Sequence, residues 1–152
     1  MKKLLCLTLS ILLILGLAGC GNEIEDTNGE DDYSLATITD ENIINLDLGA
    51  SGSSSSTTGD STVTKYSAKS FSGVEELYVA DYLWESDVTI DVTSLIVKGG
   101  NFRLVVLVDD EIVYDFDLEE VSQSCELHDV DGTVSVRIAG ESAAYEFYME
   151  VW

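Results

Sequence analysis

The strongest constraint on the fold is an alternation of period two that runs from Val63 to Trp152. Val88, Ile90 and Val92 alternate with Asp87, Thr89, Asp91 and Thr93, which gives one apolar and one polar face, as on a half-buried strand. Ile112, Tyr114, Phe116 and Leu118 alternate in the same way with Val113, Asp115, Asp117 and Glu119. Val134, Val136 and Ile138 form one face of a further strand, and Tyr145, Phe147, Met149 and Val151 alternate with Glu146, Tyr148, Glu150 and Trp152. Phe102 to Val108 is apolar apart from Arg103, which predicts a central strand covered on both faces. Turn signals punctuate these runs at Lys98-Gly99-Gly100-Asn101, Asp109-Asp110, Asp131-Gly132 and Gly140-Glu141-Ser142. With strands also expected near 63–70 and 74–83, there are about eight or nine short strands with turns roughly every 8–12 residues. The predicted fold is therefore all-β, an antiparallel β-sandwich of jelly-roll or immunoglobulin-like type. Helix signals are almost absent; Leu118 to Ser122 has room for one turn at most.

The chain before Val63 is built differently. Gly21 to Asp32 carries Glu23, Glu25, Asp26, Glu30, Asp31 and Asp32, too polar a run to order itself by burial. It reads as a flexible tether spanning roughly 20 Å. Gly49 to Ser61 is rich in serine and glycine and has the composition of a second flexible stretch. Between them Ile43, Ile44, Leu46 and Leu48 predict one short strand. The expected organisation is a leader at 1–19, a tether at 20–32, a strand plus serine-rich loop or stalk at 33–62, and a β-sandwich domain at 63–152. The 43–48 strand either joins that domain or belongs to the stalk. An isolated apolar strand in a stalk would be exposed and sticky, which favours the first.

The leader has a specific character. Lys2 and Lys3 precede an apolar run from Leu4 to Leu17 that ends in Ala18-Gly19-Cys20. A charged start, a short apolar segment and a small-residue exit form the layout of a secretory signal. The run is short of the about 20 apolar residues a transmembrane span needs. Leu17-Ala18-Gly19-Cys20 resembles the lipobox of bacterial lipoproteins. That resemblance implies a diacylglycerol on the Cys20 thiol, cleavage just before Cys20, and a lipid-anchored protein on the outer face of the cytoplasmic membrane. The segment Gly132 to Gly140 followed by Ala143 is similar to C-terminal hairpins of small β-rich lipoproteins of Gram-positive bacteria, a likeness that carries no function onto any residue.

Loss of Lys2 and Lys3 with the leader leaves five basic residues against 29 acidic ones. Nucleic acid is excluded as a partner, since neutralising phosphates requires Lys and Arg gathered on one surface. Anionic lipid headgroups should repel the domain, so the lipid bilayer is met through the lipid on Cys20 alone. With Cys6 in the leader and Cys20 at the lipid site, Cys125 has no disulfide partner in the mature chain. A small buried hydrophobe is the favoured reading of Cys125, ahead of a reactive thiol. The absence of proline removes polyproline recognition segments.

No catalytic constellation emerges. Cys125 and His128 lie three apart, so on a strand they point to opposite faces and do not form a nucleophile pair. No Gly-x-Ser-x-Gly elbow exists to present a serine to His128. Cysteine and histidine are too few for a zinc site. Asp129-Val130-Asp131-Gly132 resembles the opening of a calcium loop, but a strand follows at once and the turn reading is preferred. No cofactor is expected, with calcium at Asp129 and Asp131 the weak exception. The best ligand-binding candidates are Tyr78, Tyr82 and Trp84, which share one parity and could stack on sugar rings, with Asp81, Glu85 and Asp87 accepting from hydroxyls. The expected function is that of a non-enzymatic, surface-displayed binding or interaction domain for a glycan or protein. The competing readings are an extracytoplasmic enzyme using carboxylates or calcium, and a structural envelope protein.

Overall fold

The computed structural model describes residues 38–57 and 62–152, which form one all-β, mostly antiparallel unit with a single short helix. The elements in chain order are α1 (Asp40–Asn45), β1 (Ser51–Thr57), β2 (Thr64–Val108), β3 (Glu111–Asp115) and β4 (Ser122–Val151). The predicted leader and tether, Cys20 included, and residues 58–61 of the serine-rich stretch lie outside the described residues.

The eight or nine short strands of the sequence reading are here fused into fewer, longer ones. β2 is 45 residues long and β4 is 30, far beyond the usual strand of about 3–10 residues. Residues 64–82 of β2 pair with 149–132 of β4, and residues 86–93 then pair with 130–122, so the two form one extended ribbon. β2 continues and returns along the opposite edge of β4, pairing 90–108 with 151–134. β4 thus runs between two arms of β2, and Ile90 is bracketed by Cys125 on one side and Val151 on the other. β1 lines the outer edge of the first arm, and β3 pairs with the end of the second.

Three expected turns are bulges instead. At Lys98-Gly99-Gly100-Asn101, Asp131-Gly132 and Gly140-Glu141-Ser142 the ladder shifts register without ending. Glycines and short polar residues supply positive φ for a bulge as readily as for a hairpin, and composition alone does not separate the two. Positive φ recurs at Gly52 (89°), Gly73 (109°), Ser142 (51°) and Gly100 (74°), on β1, the first arm of β2, β4 and the second arm of β2, which lie side by side. Together they form a crease across the sheet. Beneath it Phe71 packs edge-on to Tyr145 at 5.8 Å, and Phe102 lies 4.6 Å from Tyr145. Asp109-Asp110 does turn the chain as expected, with both residues at positive φ (48° and 63°), the requirement of a tight two-residue hairpin.

Both faces of the sheet centre are covered. Leu104 and Val106 enter a core with Val88, Ile90, Val92, Val134, Val136, Ile138 and the aromatic group. Val105 and Leu107 enter a second core with Ile43, Val74 and Ala139. All four central residues of this strand are fully buried, as its unbroken apolar run predicts.

The cover on the second face corrects the reading of residues 43–48, which begin within a helix and not a strand. Thr39 caps α1 by accepting from the Asn42 N–H at 3.2 Å, and Asp40 and Glu41 sit in the first turn, where negative charge is favourable. A helix of six residues is not stable alone. Tertiary contacts hold it: Ile43 is fully buried, Arg103 bonds Asp40 at 2.7 Å, and Arg137 donates to the carbonyls of Ile43 and Ile44 at 3.1 and 2.7 Å. The adjacent isoleucines suggested a strand because β-branched residues favour one, and burial overrode that preference.

The serine-rich stretch needs the same correction. Ser51–Thr57 is an edge strand, paired from Ser51↔Ser72 to Thr57↔Thr64 with one register shift between Ser51 and Ser53, and not a flexible linker. An edge strand is held by its backbone ladder on one side and needs no apolar side chains, so polar composition hides it.

Candidate ligand-binding surface

The largest irregularity in the ladder sets up the candidate site. Tyr82 pairs with Gly132 and Ser86 with Val130, so residues 83, 84 and 85 face the single residue Asp131. Three residues against one cannot lie flat, and the extra backbone is pushed out of the ribbon. Leu83 and Trp84 are consequently 75% and 80% exposed, with Val79 on the same stretch at 55%. Bulges of this kind re-aim side chains and occur next to functional sites. Trp84 is held locally by its own backbone, where its carbonyl accepts from the Ser86 hydroxyl at 2.9 Å.

The three aromatic candidates do not form one row. Tyr78 and Tyr82 pack against the first core and join their hydroxyls at 2.8 Å. Burial, reinforced by that hydrogen bond, pushes the Tyr78 hydroxyl up to about 12. Trp84 shares no ring contact or hydrogen bond with either tyrosine among the described residues. Leu83 escaped the sequence reading. Its signal was Tyr82-Leu83-Trp84, three large residues in succession that period two cannot all bury on one face.

The carboxylates around the bulge divide into engaged and free. Asp81 accepts from the Thr133 hydroxyl at 2.6 Å. Asp87 lies 3.2 Å from His128 Nδ1, and both side chains are exposed. Asp129 has φ 53°, and its N–H donates to Asp87 at 3.4 Å. Glu85 and Asp131 have no hydrogen bond or ion pair among the described residues. No group of three or more acidic, histidine or cysteine side chains converges as metal ligands among the described residues.

Cys125 and His128 point to opposite sides of the strand, Cys125 into the first core and His128 into solvent. Burial pushes the Cys125 thiol up to about 11. At pH 8 it is overwhelmingly the unreactive thiol. A disulfide reagent should therefore leave Cys125 unmodified in the folded protein at pH 8 and label it promptly in denaturant. Equal labelling in both states would contradict its placement in the core.

Three buried polar atoms have no hydrogen-bond partner among the described residues: Glu75 Oε2, Glu141 Oε1 and the Tyr145 hydroxyl. The other oxygen of Glu141 accepts from Asn101 at 2.6 Å. Burial, with Glu75 adding negative charge nearby, raises the Tyr145 hydroxyl above its ordinary range.

No family model matches the chain, and a search of characterised proteins found no match.

Proposed function

We propose that this chain is an extracytoplasmic lipoprotein, anchored to the outer face of the cell membrane through Cys20, whose β domain binds a partner at the Leu83–Trp84 bulge. The single observation carrying the binding reading is the exposure of those two adjacent side chains, 75% and 80%, on backbone extruded from an otherwise regular ladder. Large apolar side chains grouped at the surface mark interaction sites more often than they stabilise a fold. The domain acts as a binding module and not as an enzyme. We further infer that the bent sheet closes as an antiparallel sandwich. Supporting this, Val88, Ile90 and Val92 share one core with Val134, Val136 and Ile138, although the two groups do not pair with each other.

Two measurements test the proposal. Cys20→Ala should release the protein or leave an uncleaved precursor, and a variant that stays with membranes at its mature size would reject the anchor. For binding, a benzoylphenylalanine crosslinker placed at position 84 of the full chain in intact cells should give discrete adducts. The same group at the exposed Val121, 58% accessible and outside the bulge, should give none. Adducts at 121 but not at 84 would reject the bulge as a binding surface.

A further inference from the structure

We propose that the occupant of the bulge is a cationic, apolar-tipped segment of a protein, with Lys or Arg side chains flanking a leucine-like residue. The inference rests on the binding reading above and adds the partner's chemistry.

Charge around the bulge has one sign. Residues 78–87 and 127–134, which meet across this part of the ribbon, contain Asp81, Glu85, Asp87, Asp129 and Asp131 and no Lys or Arg. Three of the five basic side chains outside the leader are engaged elsewhere. Arg103 and Arg137 hold α1, and Lys65 pairs with Glu146 at 2.9 Å. Asp81 and Asp87 are occupied by Thr133 and His128, while Glu85, beside Trp84, and Asp131, opposite the bulge, remain free to receive a cation. An exposed indole accepts an ammonium or guanidinium group over its face. Carboxylates on both sides steer and hold that cation, and Leu83 with Val79 offers contact to an apolar side chain. Anionic lipid is repelled by the same carboxylates. A second copy of this chain, with five basic residues against 29 acidic ones once the leader is removed, is repelled as well.

The test uses the full chain in uncharged detergent and the anisotropy of labelled synthetic peptides: alternating Lys–Leu, Glu–Leu and Lys–Ser. The Lys–Leu peptide should bind and the other two should not. Trp84→Ala, Leu83→Ser and the Glu85→Gln/Asp131→Asn pair should each weaken binding at least tenfold, while Val121→Ser should leave it unchanged. Glu85→Lys with Asp131→Lys should reverse the preference towards the Glu–Leu peptide, a gain that misfolding cannot produce. Equal binding of the Lys–Ser peptide would show that acidity alone acts, and Lys–Leu binding unaffected by Trp84→Ala would place it elsewhere. Either result overturns the proposal. So would Trp84-dependent binding to phosphatidylglycerol vesicles or to neutral glycans in place of the peptide. Crosslinking at position 84 without Lys–Leu binding would refute the cationic partner alone. Loss of crosslinking in cells would refute the binding reading itself.

Discussion

Arg137→Met is expected to destabilise the protein by about 3 kcal/mol, the cost of breaking a buried charged network from one side. Arg137 is 6% exposed on the second face of the sheet. Its guanidinium bonds Glu76 at 3.0 and 3.1 Å, the carbonyls of Ile43 and Ile44, and more weakly Asp110 at 3.4 Å. Removing it strands the half-buried Glu76 carboxylate and leaves two carbonyls at the end of α1 without their donor. Each such loss carries a desolvation penalty and not merely the absence of a bond. Methionine keeps much of the volume, so the effect is not that of a cavity. Arg103→Met is the control. Its guanidinium is more open, and its bonds to Asp40 and Asp115 involve exposed carboxylates, so about 1 kcal/mol or less is expected. Denaturant unfolding of both variants measures the difference, and equal midpoints would contradict the role of Arg137 in holding α1.

Gly73→Ala is expected to cost about 3 kcal/mol, through strain at positive φ together with a backbone clash. Gly73 has φ 109° on the crease, and a methyl group there would run into the carbonyl oxygens of Gly49 and Leu48. Those atoms are backbone and cannot swing aside. They also belong to the segment linking α1 to β1, where the Leu48 carbonyl accepts from the Val74 N–H at 2.8 Å. The methyl would therefore disturb the sheet and the attachment of the helix at once. Gly99→Ala separates this from a general effect of substituting glycine. A Cβ at Gly99 meets nothing within 4 Å, and its φ lies outside the left-handed region. That variant should be neutral or slightly stabilising, because alanine restricts the unfolded chain. A similar loss at both positions would mean that the crease does not need Gly73.

The sequence made the β character legible because alternation reports which face of a strand is buried. Val88 to Val92 and Tyr145 to Met149 each bury every second residue as their pattern requires. The double burial of Leu104 to Leu107 was readable for the same reason. Connectivity was not. A glycine at a bulge and a glycine in a hairpin satisfy the same φ, so Gly100 and Gly132 looked like chain reversals although the ladder continues past both. Residues before Val63 misled in both directions. The helix at Ile43 and Ile44 depends on Arg137, which lies 93 residues beyond Ile44 in the chain, and no local pattern carries that dependence. The edge strand of serines depends on a partner backbone and on no side-chain signal. Of the candidate site, the aromatic parity of Tyr78, Tyr82 and Trp84 was visible, but the three-against-one mismatch with Asp131 was not. That mismatch is what puts Leu83 and Trp84 into solvent.

Amide hydrogen exchange on the full chain tests the central claim most directly, namely that a locked sheet presents residues 83–85 outside its ladder. Protection should be greatest in 105–107 and 134–138, which have ladder partners on both edges and buried side chains on both faces. Residues 83–85, with no partner across the ribbon, should exchange orders of magnitude faster than Tyr82 and Ser86 beside them. Protection at 83–85 equal to that of their neighbours would mean that the ribbon is continuous there and that no bulge displays Leu83 and Trp84.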